Sequence, residues 1–392
     1  MTKTGGEIAM RTARTPTDRE NMTEGFGGGA DQIRDRTMRR GERRTRLILF
    51  LLSTLLCVVS AEVGARAFWR LRYGVPFRKP GRILYAYYPE LERVDEEQPA
   101  RDDNFYDILL LGESPLHGDW GEVEEDLRVQ LADNGYHNVR IFNLAMPGQS
   151  SRDSWLKYAA LGEARFSLVV FYDGINEVRA NNAPPEIFRE DYSHYSWYEI
   201  INTLAAYHGT TSFALLYTLH YLAIEMRYAL TKGRYVPTHS PREDWVHYGR
   251  DPRSAVSFKH NLGAILDLAT QRGDRVLLMT FATYVPKNYS LEAFKEQRLD
   301  YGLYLTPIEM WGAREHVLET VALHNEIVRS LAAQRAGVLL VDQARLMAGS
   351  PRYFNDPCHF TAAGSAKFVE YLIDGLRPGH NSRYDRAPPS SQ

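Results

Sequence analysis

The sequence has little cysteine: two residues, Cys57 and Cys358, in 392. Two thiols cannot build a disulfide scaffold. It has no excess of one charge. The 47 Lys and Arg residues nearly balance the 49 Asp and Glu residues, and the pI is about 6.7. That excludes a general nucleic-acid binder, which needs a basic field. There is no Gly period and no internal repeat, and a 44% hydrophobic content is too high for a disordered chain. A mean hydropathy of −0.40 excludes a multi-span membrane protein. His194, His208, His220, His247 and His260 are scattered without close ligand spacing, so no zinc site is expected. No cofactor motif stands out. The run Gly27-Gly28-Gly29 has no strand before it and no Gly-Lys-Ser/Thr after it, so it is not a phosphate loop. The length suits two to three average domains, or one large α/β domain with additions.

What charge there is lies unevenly. Seven arginines (Arg34, Arg36, Arg39, Arg40, Arg43, Arg44, Arg46) precede the one long apolar run, Leu47 to Ala61. A basic flank before an apolar run is a membrane-targeting pattern. The run is short for a span, which needs about 20 residues. It reaches that length if extended through Phe68-Trp69, with Trp69 and Tyr73 as interfacial aromatics. Three readings compete: a single-pass anchor with the N-terminus inside, a cleaved signal peptide with small residues at Val59-Ser60-Ala61, and a buried soluble helix. A lipoprotein box is disfavoured, because Leu56 precedes Cys57. The first two readings place everything after about residue 70 outside the cytoplasm, in the periplasm or at the cell surface. Residues 1–46, rich in Thr, Arg and Gly, are expected to be a disordered basic cytoplasmic tail. The anchor spans 47–69. Residues 70–105, with Pro76, Pro80, Gly81 and Pro89, read as a tether partly packed on the domain. Residues 377–392 read as a flexible tail.

From residue 106 to 376 short apolar runs alternate with longer helical stretches. The strand candidates are Asp107–Leu111, Val139–Leu144, Leu168–Tyr172, Arg275–Phe281 and Val338–Val341. The helix candidates are about 120–133, 152–163, 254–272, 312–335 and 361–375. Gly135, Gly273 and Gly337 end three of them. Continuous apolar strands separated by helices predict a parallel sheet covered on both faces. One interval, about 181–252, breaks the alternation. It is rich in Tyr and Trp and looks helical over 198–231. It reads either as a helical pair packed on the domain or as a substrate-contacting lid or membrane-facing flap.

The polar residues after each strand carry the chemistry, because ligands sit at strand carboxyl ends in such sheets. They are Gly112-Glu113-Ser114, Met146-Pro147-Gly148-Gln149-Ser150, Asp173-Gly174-Ile175-Asn176-Glu177, and Asp356-Pro357-Cys358-His359-Phe360-Thr361, with Gly364 three later. A serine hydroxyl needs a base to become a nucleophile, and the base needs its second ring nitrogen held. Ser114, His359 and Asp356 are the residue types for those roles. An Asp three residues before a His can reach the imidazole from the same segment. Cys358 beside His359 reads as a small buried filler, since neighbours in an extended loop point apart. It also offers a weaker Cys–His nucleophile.

These four blocks, in this order, resemble the SGNH (GDSL-type) hydrolase family over about residues 106–375, the insertion excepted. Two positions depart from the family pattern: Glu113 stands where Asp is usual, and Glu177 where Asp commonly follows the Asn. Both keep the charge. Pro115 stiffens the turn after the serine. The resemblance implies a three-layer, flavodoxin-like α/β fold and an oxyanion hole from the Ser114 N–H, the Gly148 N–H and the Asn176 amide. It implies a serine ester hydrolase with an acyl-enzyme and no metal or other cofactor. The partners expected are an acyl-ester substrate, acylated glycans among the candidates, and a membrane through one helix, with no nucleic acid. The alternatives are an O-acyltransferase acting on exported or cell-wall polysaccharide, and a non-catalytic glycan-binding module on the same fold.

Overall fold

The structure is a computed structural model that describes residues 28–100, 104–231, 236 and 241–377. The chain forms two units that part between Ala61 and Glu62. The first is the leading part of α1 (Gly28–Tyr73). Residues 28–46, expected as part of a disordered tail, are therefore helical; residues 1–27 and 378–392 lie outside the described residues. Helix α1 is long and apolar enough to cross a membrane. Leu47 to Val59 present large apolar side chains outward, Phe50 at 64% and Leu56 at 66% exposure.

The second unit begins at Glu62, still in α1. Here the expected span is corrected. Trp69 is fully buried, its indole N–H donating to Thr218 Oγ1 at 2.8 Å. The Tyr73 hydroxyl lies 2.9 Å from that of Tyr221. These aromatics belong to the domain core, because a neighbouring helix supplies their partners. The stretch read as a tether lies against the domain. Its Ile83, Leu84 and Tyr88, with Leu91 and Val94 of α2 (Leu91–Glu97), are buried in the same core.

The remaining elements follow in order: β1 (Tyr106–Gly112), α3 (Val123–Asp133), β2 (Val139–Asn143), α4 (Ser151–Ala160), β3 (Leu168–Tyr172), α5 (Ser196–Ala205), α6 (Ala214–Leu230), α7 (Ser254–Arg272), β4 (Val276–Met279), α8 (Leu291–Lys295), α9 (Arg314–Gln334), β5 (Leu339–Val341), α10 (Gln343–Leu346) and α11 (Ala362–Leu376). The five strands form one parallel sheet in the order β2-β1-β3-β4-β5. Side chains alternate across it as period two requires. Ile108, Leu110, Val170 and Leu277 enter one core with α3 and α11. Leu109, Leu111, Val169 and Leu278 enter the other with α4 and α7. The sheet is thus covered on both faces, which explains its nearly continuous apolar runs. The insertion forms α5 and α6, joined through residues 206–213.

The strand order reverses between β1 and β3. A crevice opens at such a point beyond the strand carboxyl ends, and Ser114 and Asn176 follow those two strands.

Candidate active site

Each block has a local reason for its shape. Ser114 opens a short 3-10 turn, Ser114–Leu116, with Pro115 fixing its first residues. The second block ends in the N-cap of α4. The Ser150 hydroxyl accepts from Arg152 N–H, and Asp153 accepts back from Ser150 N–H at 2.8 Å. Gly148 has φ +75°, a conformation that favours glycine. A Cβ there would meet nothing nearer than Arg179 Nη2 at 3.8 Å, so backbone conformation rather than crowding calls for glycine. In the last block, Thr361 caps α11 by accepting from Gly364 N–H at 3.1 Å. A Cβ on Gly364 would lie 2.1 Å from Tyr353 O. Asn355 N–H donates to His359 O at 2.7 Å, closing the loop that carries Asp356 and His359.

That loop meets the end of β1. Ser114 Oγ lies 2.8 Å from His359 Nε2, and His359 Nδ1 lies 2.6 Å from Asp356 Oδ2. The other Asp356 oxygen accepts from the Cys358 and His359 backbone N–H groups at 2.9 and 2.8 Å. Ser114, His359 and Asp356 are 6%, 2% and 0% exposed, so the line is screened from water. Trp120 stacks on the His359 ring, with centroids 4.3 Å apart. Cys358 does not point away as expected. Its Sγ lies 3.6 Å from His359 Nδ1. Asp356, Cys358 and His359 bring three ligand-type atoms within 4.8 Å. Burial, with the Asp356 charge beside it, pushes the Cys358 thiol well above its ordinary value. A protonated thiol is a poor metal ligand and a poor nucleophile.

Asn176 is oriented from both ends. The Trp311 indole N–H, which can only donate, lies 2.9 Å from Asn176 Oδ1, and Asn176 Nδ2 donates to Gln149 O at 2.9 Å. That leaves the second amide hydrogen for a ligand. Arg179 Nη2 donates to Gly148 O at 2.6 Å, tying the second block to the third. Glu113 supports the same loop: its carboxylate accepts from Gly174 and Asn176 N–H at 2.8 and 3.1 Å. The departure at 113 thus sits directly behind Asn176. The buried His324 ring holds Gly174 O through Nδ1 at 2.8 Å. Trp120, Trp311 and His324 carried no signal in the sequence. Arg179, three residues after Asn176, could have been suspected from its spacing.

Behind the site, Glu113, Asp173 and Glu177 are buried together. Burial, reinforced by the Glu177 charge, pushes Glu113 well above the ordinary carboxyl range, and Asp173 likewise. Burial, with the Asp153 charge adding to it, raises Glu177 to about 7. Between about 4.5 and about 7 the folded chain holds a proton at Glu177 that the unfolded chain releases. Glu177 therefore subtracts stability as pH rises through that window. The buried His324, lowered to about 4 by burial, acts in the opposite direction, so the informative quantity is a difference. Glu177→Gln is expected to raise Tm relative to wild type by more at pH 8 than at pH 5. Thermal melts at both pH values measure this; an equal shift at both would refute the buried proton.

A cavity of about 310 Å³ opens beside Gly148 and Asn176. A larger one, about 550 Å³, lies away from the triad, against Arg66, Arg78, Lys79 and Arg82.

No family model matches the sequence, and no curated protein matches it. Solved structures do. A GDSL-like lipase from Bacteroides thetaiotaomicron is 14% identical over 76% of this chain and 99% of its own, with a TM-score of 0.38. A lipase/acylhydrolase from Enterococcus faecalis is 14% identical over 69% of this chain and 94% of its own, with a TM-score of 0.33. A variant of an acetyl xylan esterase from Geobacillus stearothermophilus is 12% identical over 69% and 94%, with a TM-score of 0.37.

Proposed function

We propose that this chain is a serine ester hydrolase of the SGNH (GDSL) type, working through an acyl-enzyme outside the cytoplasmic membrane. The observation that carries the reading is the buried line Ser114 Oγ, His359 Nε2, His359 Nδ1, Asp356 Oδ2, with its two contacts of 2.8 and 2.6 Å. His359 takes the Ser114 proton as Oγ attacks the ester carbonyl carbon. The carbonyl oxygen becomes an anion held by the Ser114 N–H, the Gly148 N–H and the Asn176 amide. His359 then gives its proton to the departing alcohol oxygen as the C–O bond breaks. Water repeats the sequence on the acyl-enzyme and frees the acid. If a sugar hydroxyl replaces water in the second half, the same residues make an O-acyltransferase. The cavity next to Gly148 and Asn176 gives such an acceptor a place. A non-catalytic module would have no need for the hydrogen-bonded line.

The proposed location rests on α1. The arginines ahead of its apolar run favour retention of that end in the cytoplasm. The second unit then lies on the far side.

The test is hydrolysis of p-nitrophenyl acetate by the purified full chain, wild type beside Asn176→Ala. The wild type should turn over. The variant should lose about 10²–10³ in kcat with little change in KM, as expected for a lost oxyanion donor. A purified chain inactive on short esters, or an unchanged kcat in the variant, would sink the proposal.

A further inference from the structure

We propose that the outer face of α6 is a pairing surface for a second copy of this chain, helix against helix. The inference stands apart from the ester-hydrolase reading. The cavity beside Gly148 is walled by Tyr87 and by Tyr192, Tyr195, Trp197 and Tyr198, all outside α6.

Helix α6 is apolar on two opposite faces. Ala214, Tyr217, Thr218 and Ile224 face inward and are buried. On the other side Leu216, Leu219, Leu222, Met226 and Leu230 are at least half exposed. A helix that is apolar all round is ordinarily covered all round. The outward residues also keep a register. Leu216, Leu219, Ala223, Met226 and Leu230 recur at i, i+3, i+7, i+10 and i+14, the spacing by which one helix meshes with another. The row is about 21 Å long at 1.5 Å per residue. Ala223 sits at its centre, where a small side chain lets a second helix approach closely. Phe68 of α1, 6.2 Å from Tyr221, and the exposed Leu71 widen the apolar surface. The face is formed in advance. Glu62 accepts from the Ala214 and Leu215 N–H groups at 2.9 and 2.8 Å, which fixes the start of α6. Trp69 and Tyr73 hold its next turns through Thr218 and Tyr221. Pairing therefore orders little new backbone.

Charge selects the occupant. Helix α6 has one acid and one base, Glu225 and Arg227. Glu225 is half-buried, and Arg227 pairs with Glu199 of α5. The row itself is uncharged. A helix that lies on a lipid surface shows Lys and Arg on the face opposite its apolar one. In α6 that opposite face is packed into the domain. A foreign helix is ordinarily chosen by charges flanking the seam, and the one base flanking this seam is already engaged with Glu199. An uncharged row is complementary to itself and meets no like charge in an isologous pair. An anchor at α1 adds to this by holding copies in one plane at high effective concentration.

The experiment uses the full chain. For cross-linking it carries Cys57→Ala, which leaves the buried Cys358 as its native thiol. Ala223→Cys and, as a control, Val256→Cys at an exposed position of α7 are oxidised in isolated membranes. A disulfide-linked dimer should form at 223 several-fold more than at 256. Equal yields would mean random collision and would overturn the proposal. The wild type purified in mild detergent should have the mass of two copies by light scattering. Leu219→Glu combined with Met226→Glu should reduce it to one copy, with Tm and p-nitrophenyl acetate kcat/KM unchanged. Both side chains are exposed, so a charge there leaves the core intact. A wild type of one copy refutes the pairing. So does a pair that survives both glutamates, because its contact then lies elsewhere. In lipid vesicles a nitroxide on Ala223→Cys should show spin–spin broadening from its mate. Accessibility to lipid-dissolved oxygen without broadening would assign the face to the bilayer instead. The mass and cross-link readouts hold whether or not the chain turns over p-nitrophenyl acetate, so failure of the hydrolase reading is separable from failure of this one.

Discussion

Ser114→Ala is expected to lower kcat on p-nitrophenyl acetate by about 10⁴- to 10⁶-fold, the scale seen when a triad nucleophile is removed, while Tm stays within a few degrees of wild type. The two readouts separate because the side chain is small. Ser114 is 6% exposed, and its hydroxyl pairs with His359 Nε2. Alanine removes one oxygen from a turn whose backbone Pro115 holds. The His359 ring keeps Asp356 at 2.6 Å and the stacked Trp120. No large cavity forms and no charge loses its partner, so the stability cost should be about 1 kcal/mol. Chemistry has no such reserve. The nearest other nucleophile is Cys358 Sγ, and burial keeps that thiol protonated. A variant retaining more than a tenth of wild-type kcat would show that Ser114 is not the nucleophile. Cys358→Ala would then be the next substitution to assay.

Asp356→Asn is expected to cost about 10⁴ in kcat, through the tautomer of His359 rather than through its position. Asp356 uses its two oxygens differently. Oδ1 accepts from the Cys358 and His359 backbone N–H groups, and Oδ2 faces His359 Nδ1. The two backbone donors demand an oxygen. In the variant they therefore orient the amide with its carbonyl toward them and its NH₂ toward Nδ1. An NH₂ in that place makes Nδ1 an acceptor, so the ring proton moves to Nε2. A protonated Nε2 cannot take the Ser114 proton. The ring itself should stay in place under Trp120, which predicts a folded protein with near-normal substrate binding. Steady-state kinetics beside a melting curve test this. A kcat within tenfold of wild type would mean that Asp356 does not set the tautomer.

Membership of the sheet was legible in the sequence for a physical reason. Strands covered on both faces must be mostly apolar, and the five runs from 107 to 341 are, with polar residues such as Asp107, Arg140 and Asn143 near their ends or on the edge strand β2. The helix ends at Gly273 and Gly135 were legible because left-handed backbone there favours glycine; both have positive φ. The polar blocks were legible because each directly follows a strand, and a parallel sheet gathers those ends in one crevice. At the other extreme stands Trp69. An aromatic at the end of an apolar run suits a membrane interface as well as a protein core. Only the packing of α6 against it, 149 residues away, places it in the core.

Local order along the chain thus determined the sheet, the order of the motif blocks and which residue types could act as nucleophile, base and orienting acid. Tertiary structure alone decided which distant side chains complete them. Trp311 orients Asn176 from 135 positions away, Trp120 covers His359, and Tyr87 joins four aromatics of the insertion in one wall. Such contacts depend on chain segments meeting after long loops close. Neither propensity nor periodicity encodes that meeting, because both describe only neighbours within a helical turn or a strand pleat. The two cysteines, the scarcest residues in the sequence, illustrate the division. Their number excluded a disulfide scaffold at once. That Cys358 would lie 3.6 Å from the His359 ring depended on a loop folded back on itself by the Asp356 carboxylate.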